Sequence, residues 1–267
     1  MHCVPWLPAL LVTLLGLCFA ETRVDGGGSP RYAQPGDISC TLTLFTSDGT
    51  ITGGEPVIAR LEIRNESSEE IRMWPGGTFL DVYDAKGELV AAMPRPRNML
   101  DFMHSTRDLA PGETYSKLLI VSGLYQFESP GLYSVRVQQQ GLPQEMPVLC
   151  EDAASLQVLP YNAARLEAVC EEIFAPIRKH AAFGVIPTSV RAKAILSVRD
   201  DVVLPYLDWM AREAADRYAC RAMRRIATAR AEDLLAALAT RTDRVGEAAR
   251  QSLDMSLEPT DWDVEGE

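Results

Sequence analysis

The chain has 267 residues, enough for one or two domains. Its 47% apolar and 24% charged residues are the proportions of an ordinary globular protein. A net charge of −11 excludes a general nucleic-acid binder, which needs a basic face to neutralise phosphates.

The first twenty residues, "MHCVPWLPALLVTLLGLCFA", contain no Lys, Arg, Asp or Glu. An apolar run from Leu7 to Phe19 ends in small residues, which predicts a secretory signal over 1–20 with a cut after Ala20. The alternative is an uncleaved anchor, although the run is shorter than the ~20 residues that span a bilayer. The expected location is secreted or periplasmic, with no membrane insertion after cleavage. Export permits disulfides. Cys40, Cys150, Cys170 and Cys220 remain after cleavage, and their spacing leaves three full pairings open. Cys40–Cys150 is the favoured bridge because these two flank the first domain; four buried thiols are the alternative.

Residues 21–36, "ETRVDGGGSPRYAQPG", read as a flexible leader. From Asp37 to Pro160 the apolar period is two. In "VIARLEIRN", Val57, Ala59, Leu61 and Ile63 alternate with Ile58, Arg60, Glu62 and Arg64. "ISCTLTL" and "LYSVRVQ" alternate in the same way, and further strands are expected near 79–84, 88–93, 114–122 and 155–160. Turn signals such as "SDGT", "NESSEE", "DAKG" and "ESPG" separate them. About seven short antiparallel strands over 37–160 predict a β-sandwich. The segments "GEPVIARLEIRNES", "LAPGETYSKLLI" and "PGLYSVRV" resemble immunoglobulin-like and fibronectin-type domains. The resemblance implies that Tyr133 sits at a strand corner and bonds backbone through its hydroxyl. Residues 93–110 show no period and read as a long loop or a partly helical insertion of functional interest.

From Tyr161 the period becomes 3.6. Leu166, Val169, Cys170, Ile173, Phe174 and Ile177 form one stripe, and Pro176 is expected to kink or end that helix. "VRAKAILSVRDDVVLPYLDWM" from Val190 aligns with "YACRAMRRIATARAEDLLAAL" from Tyr218, an offset of 28 (218 − 190). Ala194 matches Ala222, Ile195 matches Met223, Val198 matches Ile226, Leu207 matches Leu235, and Met210 matches Leu238. A partial third copy starts at Val245. Helix pairs at a fixed period predict a solenoid over 161–255. The unit resembles the short HEAT-like repeats of bacterial proteins through Val190, Arg191, Ala194, Val198, Asp201, Val203, Pro205, Leu207 and Met210; the second copy has Asp233 in place of Pro205. The fold class is therefore multidomain: an all-β immunoglobulin-like sandwich followed by all-α HEAT-like repeats. So short a solenoid is expected to dock on the sandwich through the first helix.

The Asp200–Asp201 pair reads as a helix cap rather than an acid/base pair, because no histidine or further acidic cluster stands near it. His104, beside Asp101, Ser105 and Asp108, and His180 carry no recognisable catalytic pattern. No catalytic, cofactor-binding or metal-ligating residue is predicted, and no cofactor. An enzyme of unknown reaction is the third-ranked function. Asn65 in "NESS" is a glycosylation sequon or simply a turn residue.

In "RYACRAMRRIATAR", Arg217, Arg221, Arg224, Arg225 and Arg230 are expected to coat the outer face of a helix, either as a solvated face or as a surface for an acidic partner. An acidic tail over 256–267 either folds back on these arginines or stays disordered, and its Trp262 is a candidate partner anchor. The expected function is non-catalytic binding of a protein or peptide by an exported scaffold. The second reading is a proteinase inhibitor: Asn65, Gly76, Gly77, Phe79, Asp81 and Gly87 are similar to turn and strand positions of the bacterial proteinase-inhibitor sandwich family.

Overall fold

The computed structural model describes residues 29–46, 48–93, 106–127, 129–141, 148–181 and 189–254. The signal, Ser105, His104 and Trp262 lie outside the described residues. In chain order the strands are β1 (Arg31–Tyr32), β2 (Ile38–Phe45), β3 (Thr50–Thr52), β4 (Ile58–Asn65), β5 (Ile71–Met73), β6 (Thr78–Tyr83), β7 (Arg107–Leu109), β8 (Thr114–Ile120), β9 (Gly131–Gln140) and β10 (Val148–Leu159). The helices are α1 (Ala163–Ala181), α2 (Val190–Ser197), α3 (Leu204–Glu213), α4 (Arg217–Ile226), α5 (Ala229–Ala239) and α6 (Arg244–Asp254).

Two sheets form the sandwich, in the orders β2-β4-β8 and β3-β10-β9-β6. The alternation in β4 sends Ala59, Leu61 and Ile63 inward, each fully buried, while Arg60, Glu62 and Arg64 face out. Val135 and Val137 of β9 and Leu156 and Val158 of β10 fill the other side of this core. Cys40 on β2 and Cys150 on β10 form a disulfide with Cα atoms 5.7 Å apart, within the ordinary span of such bridges. The Leu42 amide on β2 also donates to Asp152 Oδ2 on β10 at 2.7 Å. The Tyr133 hydroxyl donates to the Ser129 carbonyl at 2.9 Å, so the corner implied by the resemblance is present.

Several elements differ from expectation. A third small sheet, β1-β5-β7, is present, and β1 lies inside the expected leader. Arg31 anchors it by bonding Asp37 and Glu69. β1–β5 and β3–β10 pair in parallel, so the sandwich is not wholly antiparallel. Near 88–93 there is only a bridge between Leu89 and Tyr83. These pieces are two or three residues long and show no readable period.

β8 is an edge strand, and its inward positions are Tyr115, Lys117 and Leu119. Lys117 Nζ donates to the Pro75 carbonyl at 2.6 Å. A lysine pointing inward on an edge strand makes pairing with a foreign strand costly. Burial pushes the Lys117 ammonium down to about 8 from an ordinary 10.5. Between those values the unfolded chain holds the proton more tightly, so stability rises with pH. Lys117→Met is therefore expected to remove a rise on the order of 3 kcal/mol across that window. Urea unfolding of both proteins on either side of the window checks it; an unchanged pH profile would contradict it.

The helices share a second core, separate from the sandwich core. All five residue pairs aligned at the offset of 28 are buried at both members. The starts of α2, α4 and α6 repeat more evenly still. Ser189, Asp216 and Asp243 accept from the amides of Ala192, Tyr218 and Gly246, at spacings of 27 (216 − 189) and 27 (243 − 216). Between α2 and α3 the link takes a 3-10 turn, Asp201–Val203, whereas between α4 and α5 only Ala227 and Thr228 intervene. α1 continues through Pro176 to Ala181. The exposed side of α6 carries Arg244, Glu247, Arg250 and Gln251.

Candidate functional site

The two halves meet at a junction built from turns. The β3 turn supplies Gly53, Gly54 and Glu55, and a 3-10 turn over Val121–Gly123 supplies Ser122. From the helical side come Tyr161, Arg165 near the start of α1, Ser197 at the end of α2, and Arg199 and Asp200 after it. Asn162 starts α1 by accepting from the Arg165 amide at 3.1 Å. That places the Arg165 side chain over β3. Its Nε donates to Glu55 Oε1 at 2.7 Å, and its Nη2 donates to the Thr50 carbonyl at 2.7 Å. The Glu55 side chain is only 4% exposed, so this is a buried carboxylate whose charge is met from the other half. Leu166 is fully buried and lies beside Gly54.

A second tie joins Ser122 and Ser197, whose Oγ atoms are 2.8 Å apart. Ser197 donates to the Ala194 carbonyl and Ser122 accepts from the Val57 amide, which leaves Ser122 to donate to Ser197. Thr52 Oγ1 donates to the Pro160 carbonyl at 2.6 Å. Between these ties lies an open cleft of about 240 Å³, lined by Gly53, Glu55, Tyr125, Phe127, Tyr161 and Arg199, among others.

Asp200 borders this cleft. It accepts from the Val202 amide at 2.9 Å as a cap, and Tyr161 lines the same cleft. Burial, then this carboxylate, raises Tyr161. Asp201 does not share the capping; it accepts from Thr228 Oγ1 at 2.6 Å and ties the first helix pair to the second. Thr228 itself caps α5 by accepting from the Ala231 amide. The two aspartates therefore have separate structural roles.

The arginines of α4 do not all face outward. Arg225 donates to the Leu196 carbonyl at 2.9 Å, and Arg224 donates to Glu232 at 3.0 Å with its side chain 17% exposed. Sequence periodicity misses this because long arginine stems reach neighbouring helices from flanking positions. Burial pushes Arg225 down to about 10, with Arg199 and Arg221 adding to the shift. Arg217 and Arg221 lie over the Tyr218 ring, at 5.3 and 6.0 Å from its centroid.

Other candidates resolve into fold. Asp108 is bidentate to Arg72. Asn65 is fully buried and donates to the Glu69 and Leu109 carbonyls, so its amide is spent on the turn. Gly76 packs against the Trp74 ring, and a Cβ at Gly77 would lie 2.3 Å from the Gln140 carbonyl oxygen. Asn65, Gly76 and Gly77, matched to the inhibitor family, therefore serve turns of the sandwich. Burial pushes the Cys170 and Cys220 thiols up to about 12 and 11, away from the reactive thiolate. Among the described residues no helix is long and apolar enough to cross a membrane.

No family model and no curated protein matches the chain. Among solved structures it is similar to the CARDB domain of PF1109 from Pyrococcus furiosus, at 13% identity over 52% of this chain and 100% of that one, with a TM-score of 0.26. It is also similar to Spo0M, a sporulation control protein from Bacillus subtilis, at 12% identity over 53% of this chain and 56% of that one, with a TM-score of 0.31. A third is β-glucosidase from Listeria innocua, at 18% identity and a TM-score of 0.27, where the match covers 46% of this chain and 16% of that one. Nothing about the chemistry of this chain follows from likenesses so weak.

Proposed function

We propose that the chain is an exported, non-catalytic binding protein that presents an immunoglobulin-like sandwich and a short HEAT-like solenoid to a protein or peptide partner. The observation that carries the reading is the use of the junction polar groups. Glu55 is committed to Arg165, Asp200 to the Val202 amide, and Ser122 to Ser197 and Val57. Groups so engaged hold two surfaces in fixed relation, which is what a scaffold needs. The even spacing of Ser189, Asp216 and Asp243 supports the solenoid reading. The Cys40–Cys150 bridge supports export, because disulfides persist in oxidising compartments.

The test is photocrosslinking of the full chain in envelope and secreted fractions, followed by titration of the recovered protein in purified form. Saturable binding at a fixed stoichiometry is expected. Failure of every recovered protein to bind when purified would overturn the proposal. Stoichiometric inhibition of a secreted serine protease would replace it with the inhibitor reading.

A further inference from the structure

We infer that the junction cleft is a binding site for a small alkylated ammonium ion, a nitrogen carrying methyl groups as in choline, held between Tyr161 and Asp200. The site is separate from the protein-binding role proposed above, and its test needs no protein partner.

Three observations carry it. The first is the make-up of the wall. Tyr125, Phe127 and Tyr161 line the cleft together with two carboxylates, Glu55 and Asp200. Tyr125 and Phe127 are buried, whereas Tyr161, on the link between β10 and α1, is 56% exposed. Aromatic rings attract an organic cation through the negative charge of their faces, most strongly where water is excluded.

The second is charge. The Glu55 carboxylate is neutralised by Arg165, 2.7 Å away. Asp200 forms no ion pair among the described residues; it accepts from the Val202 amide and brings its charge to the cleft. Groups around the junction respond to these carboxylates. Tyr161 is raised by burial and then by Asp200 and Asp201, and the Cys170 thiol by burial and then by Glu55 and Asp200. Arg199 is the cation of the lining, and its Nη2 donates to Met93 Sδ at 2.7 Å.

The third is what the cleft asks of a ligand. Ser122, Ser197 and Glu55 spend hydrogen bonds on holding the two halves together. A methylated ammonium needs none: its charge is met by a nearby carboxylate and its methyl groups by ring carbons. At about 240 Å³ the cleft is smaller than the roughly 300–1,000 Å³ of pockets for drug-sized ligands, which suits so compact a head group.

The experiment is titration of the full chain with choline, read by saturation-transfer NMR on the choline methyl line. The reference compound is its uncharged isostere, in which a tert-butyl group replaces the trimethylammonium. Choline is expected to bind about tenfold more tightly than the isostere. Asp200→Asn keeps an oxygen for the Val202 amide and a good capping residue, so it removes only the charge. It should bring choline down to the level of the isostere. Tyr161→Leu keeps apolar bulk without the ring and should weaken choline about fivefold while leaving the isostere unchanged. Choline binding no tighter than the isostere would overturn the inference, and that comparison needs only the unaltered chain. A preference for choline that survives both substitutions would overturn it too. Once choline binds, phosphatidylcholine vesicles give the source of the group. Cosedimentation that Asp200→Asn abolishes assigns it to a lipid headgroup, and no cosedimentation assigns it to a free solute.

Discussion

Replacing Cys40 and Cys150 together by serine is expected to lower the stability of the oxidised protein by about 4–5 kcal/mol in the chain-entropy account of cross-links. The bridge closes a loop spanning 110 positions, so its removal frees a large part of the unfolded chain. The loss is large against the roughly 5–15 kcal/mol that stabilises a typical domain. Serine keeps the size of each side chain, and the Leu42–Asp152 bond remains to align β2 with β10. The substitution therefore acts mainly on the unfolded state. Urea unfolding without reductant checks it. Equal midpoints for the two proteins would mean that the bridge does not hold the sandwich.

Arg165→Met should cost about 3 kcal/mol, at the low end for breaking a buried ion pair, because Arg165 itself is 28% exposed. The cost arises at Glu55. Without the guanidinium, a carboxylate with 4% exposure has neither solvent nor a counter-charge. Glu55→Gln in the same background removes that charge and should recover about half of the loss, by the same reasoning. A double-mutant cycle isolates the coupling. Additive single effects would show that Glu55 and Arg165 stabilise the halves independently, and the junction would lose its main cross-link.

Much of this architecture is legible in the sequence, and the limits have physical causes. The period-two pattern of β4 and β9 is read correctly because both strands have one buried and one solvated face. The short strands β1, β5 and β7 escape notice because three residues cannot establish a period. The buried repeat at 28 is visible, since Ala194, Ile195 and Val198 pack as Ala222, Met223 and Ile226 do. The more even spacing of Ser189, Asp216 and Asp243 is hidden because a cap requires only an oxygen, and Ser and Asp look unlike. The junction is the least legible part. Glu55 follows a Gly-Gly turn and Arg165 opens a helix, both ordinary surface contexts. Only the fold brings these two residues, 110 positions apart, into one buried pair.

The sandwich and the helices are expected to unfold as one cooperative unit, held by the Glu55–Arg165 and Ser122–Ser197 ties. Trp74 is buried in the sandwich, and Trp209 packs edge-on against Phe174 in the helical core. Each can report on its own half in a variant whose other tryptophans are replaced by phenylalanine. Urea unfolding followed at Trp74 and at Trp209 should give coincident transitions, and these should separate in Arg165→Met. Two distinct midpoints in the protein with Arg165 intact would contradict the account.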